Sequence, residues 1–190
     1  MKNSNIIIAG AAIAACSLSA QAAEPKTKAS LFSYNYLQAT YVDMDGGLDG
    51  LAFGGSLDIA DNLAINASYM TTDDSGTDYD LLSIGANYHF KFDQLENADL
   101  ALHGEYVDAD IDRRNANRDD DGLRFGALLR YQVQPNLEVF GDISYTTLFD
   151  NDMTLTPGIV LHFTPQVAAV VSYEHSDADI LQFGVRIEIK

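Results

Sequence analysis

The feature that most constrains this chain is an alternation of apolar with polar or small residues, which recurs in segment after segment. In one segment, apolar residues occupy every second position: Leu123, Phe125, Ala127, Leu129, Tyr131 and Val133. Successive side chains of a β-strand point to opposite faces, whereas helical geometry would scatter these positions around a cylinder. The pattern therefore predicts strands that each carry one apolar face.

We predict about ten such strands, with eight as the alternative, because the alternation continues almost to the end of the chain. The approximate ranges are 31–43, 50–59, 63–72, 78–90, 98–108, 122–133, 137–147, 154–163, 167–175 and 180–190. A tilted strand needs about 9–11 residues to cross a bilayer. The predicted fold class is all-β, an antiparallel up-and-down transmembrane β-barrel. The alternative, a soluble sandwich or lipocalin-type barrel, would turn its apolar face inward.

The connectors between these strands alternate in character. Short turns lie at 60–62, 134–136 and 164–166, with a longer segment at 91–97. The other connectors are longer or more acidic, at 44–49, 73–77, 109–121, 148–153 and 176–179. Outer-membrane barrels combine short periplasmic turns with longer extracellular loops. We therefore expect the acidic connectors to lie outside the cell.

A tyrosine lies near the end of five of the predicted strands, just before an acidic connector. These residues are Tyr41, Tyr69, Tyr106, Tyr145 and Tyr173. Interfacial tyrosines are favoured because the ring prefers the acyl edge while the hydroxyl prefers water. We predict that they form an aromatic girdle along one rim of an apolar band.

The first residues of the chain have the layout of a secretory signal peptide. A short start with one Lys precedes an apolar run over 6–15, and Ala20-Gln21-Ala22 supplies small residues where a signal peptidase reads. We predict a signal peptide over 1–22, a periplasmic lead over 23–30 and a barrel domain over 31–190, located in the outer membrane. An alternative cleavage site, resembling a lipobox, would leave Cys16 lipidated.

Composition narrows the function classes. Asp and Glu number 28 against 11 Lys and Arg, a formal net charge of −17. A basic footprint for nucleic acid is absent from the sequence. If the only cysteine, Cys16, is removed with the signal peptide, disulfides and thiolate chemistry are excluded. We expect no cofactor.

Several short patterns carry a resemblance to a known group. They are Ser33-Tyr34-Asn35-Tyr36, Asp45-Gly46-Gly47, Gly54-Gly55 and the repeated strands that run from a turn to a tyrosine. The chain resembles small outer-membrane β-barrels of the OmpA-like and porin superfamily, and most of all a family of small barrels called sulfation-dependent quorum factors. The resemblance implies a barrel surrounded by outer-membrane lipid and lipopolysaccharide, inserted by the barrel assembly machinery. We expect a monomer.

The face opposite the apolar one carries charges that would line the barrel lumen. They are Asp58, Glu105, Arg124, Arg130, Glu138, Asp142, Glu174, Arg186 and Glu188. Small barrels are filled by side chains, and buried charges need partners. We therefore expect Arg130 to reach Glu138 or Asp142, and Arg186 to meet Gln38. The lumen is then either largely filled or, because acids outnumber arginines, a narrow pore that favours cations.

Two further candidate sites lie in the acidic connectors. Asp119, Asp120 and Asp121 are interpreted as solvated turn residues, with weak binding of a divalent metal as the alternative. His175 is the one histidine at the outer rim, but its neighbours on the strand point to opposite faces. We predict a non-enzymatic structural or surface barrel, with a narrow porin-like channel second and a hydrolase based on His175 third.

Overall fold

The computed structural model describes residues 30–74, 76–91, 96–113, 116–149 and 151–189. Its strands are β1 (Tyr36–Met44), β2 (Leu48–Ala60), β3 (Leu63–Asp74), β4 (Thr77–Lys91), β5 (Ala98–Arg113), β6 (Ala116–Gln134), β7 (Leu137–Thr146), β8 (Asp152–His162), β9 (Val167–Glu174) and β10 (Ile180–Glu188). Among these residues, no helical segment combines the length and hydrophobicity that crossing a membrane requires. The predicted signal peptide, with Cys16, lies outside the described residues.

The ten strands form one closed antiparallel barrel. Each strand pairs with its neighbours in sequence, and β1 closes the barrel on β10, from Tyr36 opposite Glu188 to Met44 opposite Ile180. Closure matters because an open sheet would leave a row of unpaired backbone groups at its edge. The predicted all-β up-and-down barrel of ten strands is confirmed.

The barrel has two distinct ends. One end, called here the terminal end, carries Ser30, Ile189 and the turns at 61–62, 135–136 and 163–166. The opposite end, called the acidic end, carries the connections at 45–47, 147–151 and 175–179 and the hairpins that join β3 to β4 and β5 to β6.

The longest hairpin corrects one prediction. The segment 109–121 was expected to be a loop, but β5 continues to Arg113 and β6 begins at Ala116. Asp110 pairs with Asp119 across this hairpin, which prolongs the sheet at the acidic end. The density of aspartates suggested a solvated turn. They are accommodated in strands because Asp108, Asp110 and Asp112 point outward into open space, while the residues between them point inward.

The start of the barrel also differs from the prediction. The first strand was expected from residue 31, but β1 begins at Tyr36, and residues 30–35 are irregular. Tyr34 is only 2% exposed, so this segment folds into the terminal end of the barrel instead of pairing in the sheet. Its contacts with the interior, given below, explain why it leaves the sheet.

The predicted apolar face points outward over most of the barrel. Phe53 and Phe125 are each 53% exposed, and Ile159 and Leu102 are about half exposed. The tyrosine girdle (Tyr41, Tyr69, Tyr106, Tyr145 and Tyr173) is also exposed and borders this apolar belt toward the acidic end. A soluble barrel would bury these side chains, so the soluble alternative does not describe this fold.

The outer face changes from apolar to acidic at the tyrosine girdle. We call the part of the barrel on the terminal side the belt half and the part beyond the girdle the acidic half. Outward residues of the acidic half are acidic: Asp43, Asp49, Asp73, Asp78, Asp108, Asp110, Asp112, Asp119 and Asp121. The inner face there contains two apolar clusters, one of Val42, Met44, Met70 and Ile180 and another of Val107, Ala109 and Leu148. The acidic half is therefore built like a soluble barrel.

Candidate functional site in the barrel interior

The charged residues that the sequence assigned to the lumen lie on the inner face. Most of them surround a central cavity of about 290 Å³: Glu105, Arg124, Arg130, Glu138, Asp142, Glu174 and Arg186. Glu188 lines a second cavity at the terminal end, with His162. Asp58 contacts the buried ring of His89. The alternation along each strand was enough to identify this set. Every second residue points inward, and the strands of a closed barrel share one interior.

A bidentate ion pair lies between the central and terminal cavities. Arg130 donates from Nε to Oε1 of Glu138 at 2.6 Å and from Nη2 to Oε2 at 2.9 Å. Both residues are 3% exposed, and they are the two described residues that line both cavities. Bidentate pairing satisfies charges that would be costly to bury alone. Asp142, the other predicted partner of Arg130, pairs with His103 instead.

The segment 30–35 packs against this ion pair. The Arg130 guanidinium lies 4.6 Å from the ring centroid of Phe32 and 4.8 Å from that of Tyr34, and its Nη1 donates to the backbone oxygen of Ser33 at 2.9 Å. Tyr34 stacks on His89 with ring centroids 3.9 Å apart. We call Phe32, Tyr34, His89, Arg130 and Glu138 the closure layer.

Sequence reasoning missed three of the five residues of the closure layer. Phe32 and Tyr34 were assigned to a strand, and His89 was given no role. One signal was available in the sequence. Tyr34, Tyr36 and Gln38 are spaced two residues apart, so the two aromatic side chains are expected to point inward with Gln38. Nearby, the Ser30 hydroxyl donates to the fully buried Asp99, a second unpredicted contact of this segment.

A second group of contacts crosses the middle of the lumen. Glu105 accepts a hydrogen bond from Asn66 at 2.6 Å and lies 3.7 Å from Nη1 of Arg124. Nε2 of His103 lies 2.8 Å from Oδ2 of Asp142. Arg124 also donates from Nε to the Thr146 hydroxyl at 3.1 Å. These contacts join four strands and partly fill the cavity with paired groups.

Arg186 occupies the seam where the barrel closes. Its Nε and Nη2 donate to the side-chain oxygen of Gln38 at 3.0 and 2.9 Å, and its guanidinium lies 4.1 Å from the ring centroid of Tyr36. This contact with Gln38 is the one expected from the sequence. It links the first and last strands through side chains as well as through the backbone.

A third cavity of about 460 Å³ opens toward the acidic end. Apolar side chains form most of its wall, including Met44, Leu48, Met70, Leu81 and Ile180. Its floor is polar and includes Arg124 and Glu174, which also line the central cavity. This cavity was not predicted, because the lumen was expected to be polar along its whole length.

The tyrosine girdle makes regular contacts with the acidic half. The Tyr41 hydroxyl donates to Asp49 at 3.0 Å, and the Tyr69 hydroxyl donates to Asp80 at 2.8 Å. The same contact joins Tyr173 to Asp179 at 2.5 Å. In each case the aspartate lies on or beside the neighbouring strand, so the hydroxyls mark the level at which the outer surface becomes polar.

The arrangement around His175 does not form a nucleophile–base pair. Nδ1 of His175 lies 2.7 Å from Oδ1 of Asp179, and the His175 side chain is 68% exposed. Hydrogen bonds from Tyr173 and then from His175 hold the pKa of Asp179 below its usual value. The Ser176 hydroxyl donates to the backbone oxygen of Ala178 instead of contacting His175.

The three consecutive aspartates are also separated. Asp119 and Asp121 point outward from β6, whereas Asp120 points inward and accepts a hydrogen bond from the backbone nitrogen of Phe149. In the described part of the chain, no group of three His, Cys, Asp or Glu residues has the geometry to hold a metal ion. The three carboxylates therefore do not point toward one shared position.

Comparisons with known proteins identify the fold. No protein-family model and no curated protein matches the chain. Among solved structures, the KdgM porin is 10% identical, with a TM-score of 0.51, covering 82% of this chain and 99% of the porin. KdgM in complex with disordered oligogalacturonate is 11% identical (TM-score 0.49, 82% and 99%). The N-terminal barrel domain of Pseudomonas aeruginosa OprF is 14% identical (TM-score 0.45, 82% and 98%).

The class that the structure defines is therefore the small β-barrel with the fold of outer-membrane porins. The first of these likenesses carries that conclusion, and at 10% identity it concerns the fold alone. None of the matches supports the particular resemblance to sulfation-dependent quorum factors.

Proposed function

We propose that the protein is a non-enzymatic barrel of the outer membrane that is closed at its terminal end and acts as a surface protein. The observation that carries this proposal is the closure layer. Arg130 and Glu138 are buried, paired with each other and covered by Phe32 and Tyr34. A solute that enters from the acidic end meets this layer before it reaches the terminal cavity.

The outer surface supports the membrane location. An exposed belt of Leu, Ile, Val and Phe side chains is costly in water and favourable in lipid. Tyrosines border the belt on one side, as interfacial aromatics do in membrane proteins. In this proposal, outer-membrane lipid and lipopolysaccharide surround the protein, and the barrel assembly machinery inserts it as a monomer.

The orientation follows from the same surface. The acidic half extends beyond the girdle and turns a row of aspartates to solvent, so we place it outside the cell and the terminal end in the periplasm.

A narrow cation channel is the second candidate. The observation in its favour is that the central and acidic-end cavities share Gln38, Ser68, Arg124 and Glu174, so only the closure layer separates the terminal cavity from this space. Acids outnumber arginines among the predicted lumen charges, which favours cations over anions.

Planar-bilayer recording separates the two candidates. The refolded barrel is first checked for a heat-dependent shift on a denaturing gel. We expect the wild-type barrel to be silent, and a double variant, Arg130→Ser with Glu138→Ser, to give conductance steps. Asp108→Ser with Arg118→Ser is the matched control, because it removes one charge of each sign from the acidic half and leaves the closure layer intact. Regular steps from the folded wild type would favour the channel.

A further inference from the structure

The apolar cavity of the acidic half is unusual for the inside of a membrane barrel. Lumen walls are normally polar, because they contact water or paired side chains. Here Met44, Met70 and Ile180 are 6–7% exposed and face inward around a space of about 460 Å³. That volume lies within the range of about 300–1,000 Å³ that is typical of small-molecule sites. An apolar wall around an open space favours an apolar occupant over water.

The wall suits an occupant of variable shape. Met44 and Met70 approach from β1 and β3, and methionine side chains adapt to irregular surfaces. Tyr79 and Leu81 complete the wall from β4. Tyr79 and Leu81 also pack against both apolar clusters of the acidic half, so the wall belongs to the core of the barrel.

The floor of the cavity supplies a charge. Glu174 pairs with Ile180 through the sheet, but its carboxylate makes no hydrogen bond or ion pair with another described residue. Arg124, which lines the same floor, contacts Glu105 and Thr146 instead. The other charged residues of the lining are Asp45 and Arg113, one of each sign, so the unpartnered Glu174 carboxylate gives the floor its excess charge. A ligand cation would be attracted to this position, and an anion would be repelled.

We infer that the acidic-end cavity binds a small organic cation with an apolar body. Its ammonium group lies at Glu174, and its apolar part packs against Met44, Met70 and Leu81. The ligand enters from the acidic end and stays above the closure layer, so binding does not depend on whether the barrel conducts.

Three probes with one ring system test this assignment. They are 1-naphthylmethylammonium, 1-naphthylmethanol and 1-naphthoate, titrated calorimetrically into the refolded barrel in nanodiscs of zwitterionic lipid, with empty nanodiscs as the blank. We expect the cation to bind most tightly, the neutral alcohol more weakly and the anion weakest. Equal affinity for the cation and the anion, or no binding by the cation, would overturn the proposal.

Variants separate the contribution of the Glu174 charge to binding from the contribution of the apolar wall. Glu174→Gln keeps the size of the side chain and should weaken binding of the cation about tenfold or more, because a neutral amide replaces the carboxylate that pairs with the ammonium group. It should leave the alcohol within about twofold of wild type. Asp108→Asn, an outward acid of the same half, is the matched control and should change neither probe. Unchanged cation affinity in Glu174→Gln would contradict the assignment.

A second variant tests the volume. Ala52 lines the cavity and packs beside the cluster of Val42 and Met70. Ala52→Phe should reduce binding of the cation and the alcohol together, while the heat-dependent gel shift confirms that the barrel folds. If both probes bind this folded variant as they bind wild type, the ligand does not occupy this cavity.

Discussion

The belt half and the acidic half of this barrel share strands and register, but their outer faces have opposite polarity. In β5, Leu102 and Tyr106 point outward below the boundary, and Asp108 and Asp110 point outward above it. The inward residues change in the other direction, from His103 and Glu105 to Val107. The comparison teaches that the period of alternation sets which residues share a face, whereas the surrounding medium sets which face is apolar.

The two halves are consequently stabilised by different interactions. Inside the belt half, ion pairs and hydrogen bonds join the strands beside a small apolar cluster of Val160, Ala168 and Val170, with Arg130 and Glu138 as the most buried ion pair. Inside the acidic half, packed apolar side chains such as Val42 and Val107 have the same role. Each half should therefore respond differently to the same kind of substitution.

The largest expected effect is on the ion pair of the belt half. Glu138→Gln leaves the Arg130 guanidinium buried without its counter-charge, and we predict a loss of about 3–5 kcal/mol in the free energy of unfolding. Urea unfolding in lipid vesicles, followed by far-UV circular dichroism, measures this loss. Glu188→Gln is the control, because Glu188 makes no ion pair with another described residue. Equal losses in the two variants would show that the pair does not stabilise this half.

A charge placed on the outer surface tests the boundary between the halves. Leu129→Arg puts a guanidinium into the apolar belt, and we predict a cost of about 2–4 kcal/mol and poor insertion into vesicles. Asp110→Arg, outward in the acidic half, should insert normally.

Ser68→Arg is the inward control for the same experiment, because Ser68 lines both the central and the acidic-end cavities. Gly126 is unsuitable, since a Cβ there would lie 2.3 Å from Nε2 of His103. Equal insertion of Leu129→Arg and Ser68→Arg would contradict the assignment of inside and outside.

The apolar core of the acidic half should show a smaller effect. Val107 is fully buried, and Val107→Ala removes two carbon atoms, which should cost about 1–2 kcal/mol. Asp108→Ala, its outward neighbour, should stay within about 0.5 kcal/mol of wild type. The same urea experiment gives both values. If Val107→Ala leaves the free energy of unfolding unchanged, the acidic half has no packed core.

The smallest expected effect is at the boundary itself. Tyr69→Phe removes the hydroxyl that donates to Asp80, and we predict a loss below about 1 kcal/mol, because the contact is exposed. Tyr145→Phe is the comparison, because the hydroxyl of Tyr145 has no hydrogen bond to a described residue. If both variants lose the same stability, the hydrogen bonds to aspartate do not anchor the girdle.

Much of the barrel could be predicted from the alternation of apolar and polar residues along each strand. Leu123 to Val133 indicated an outward face correctly, and the opposite phase placed Arg130 and Glu138 together inside. These predictions succeed because backbone geometry fixes the direction of every second side chain. They require no knowledge of packing.

Two predictions were wrong for different reasons. The segment 109–121 looked like a loop because it is rich in aspartate, although Val107, Ala109 and Ile111 continue the alternation into it. The alternation also predicts that Tyr34 points inward, which is correct, but the residue does not pair in the sheet. Its ring stacks on His89 and contacts the Arg130 guanidinium instead. Such tertiary contacts join residues that are far apart in sequence, so local patterns do not reveal them.

The most direct test of the central claim is cysteine labelling along the outer face of β6. Asp119→Cys, Asp121→Cys, Phe125→Cys and Leu129→Cys are made in a Cys16→Ser background and exposed on intact cells to a maleimide that cannot cross membranes. The account predicts labelling at 119 and 121 and protection at 125 and 129, with the change at the level of the tyrosine girdle. Uniform labelling along the strand, or protection of 119 and 121, would contradict a barrel whose polarity reverses at the membrane surface.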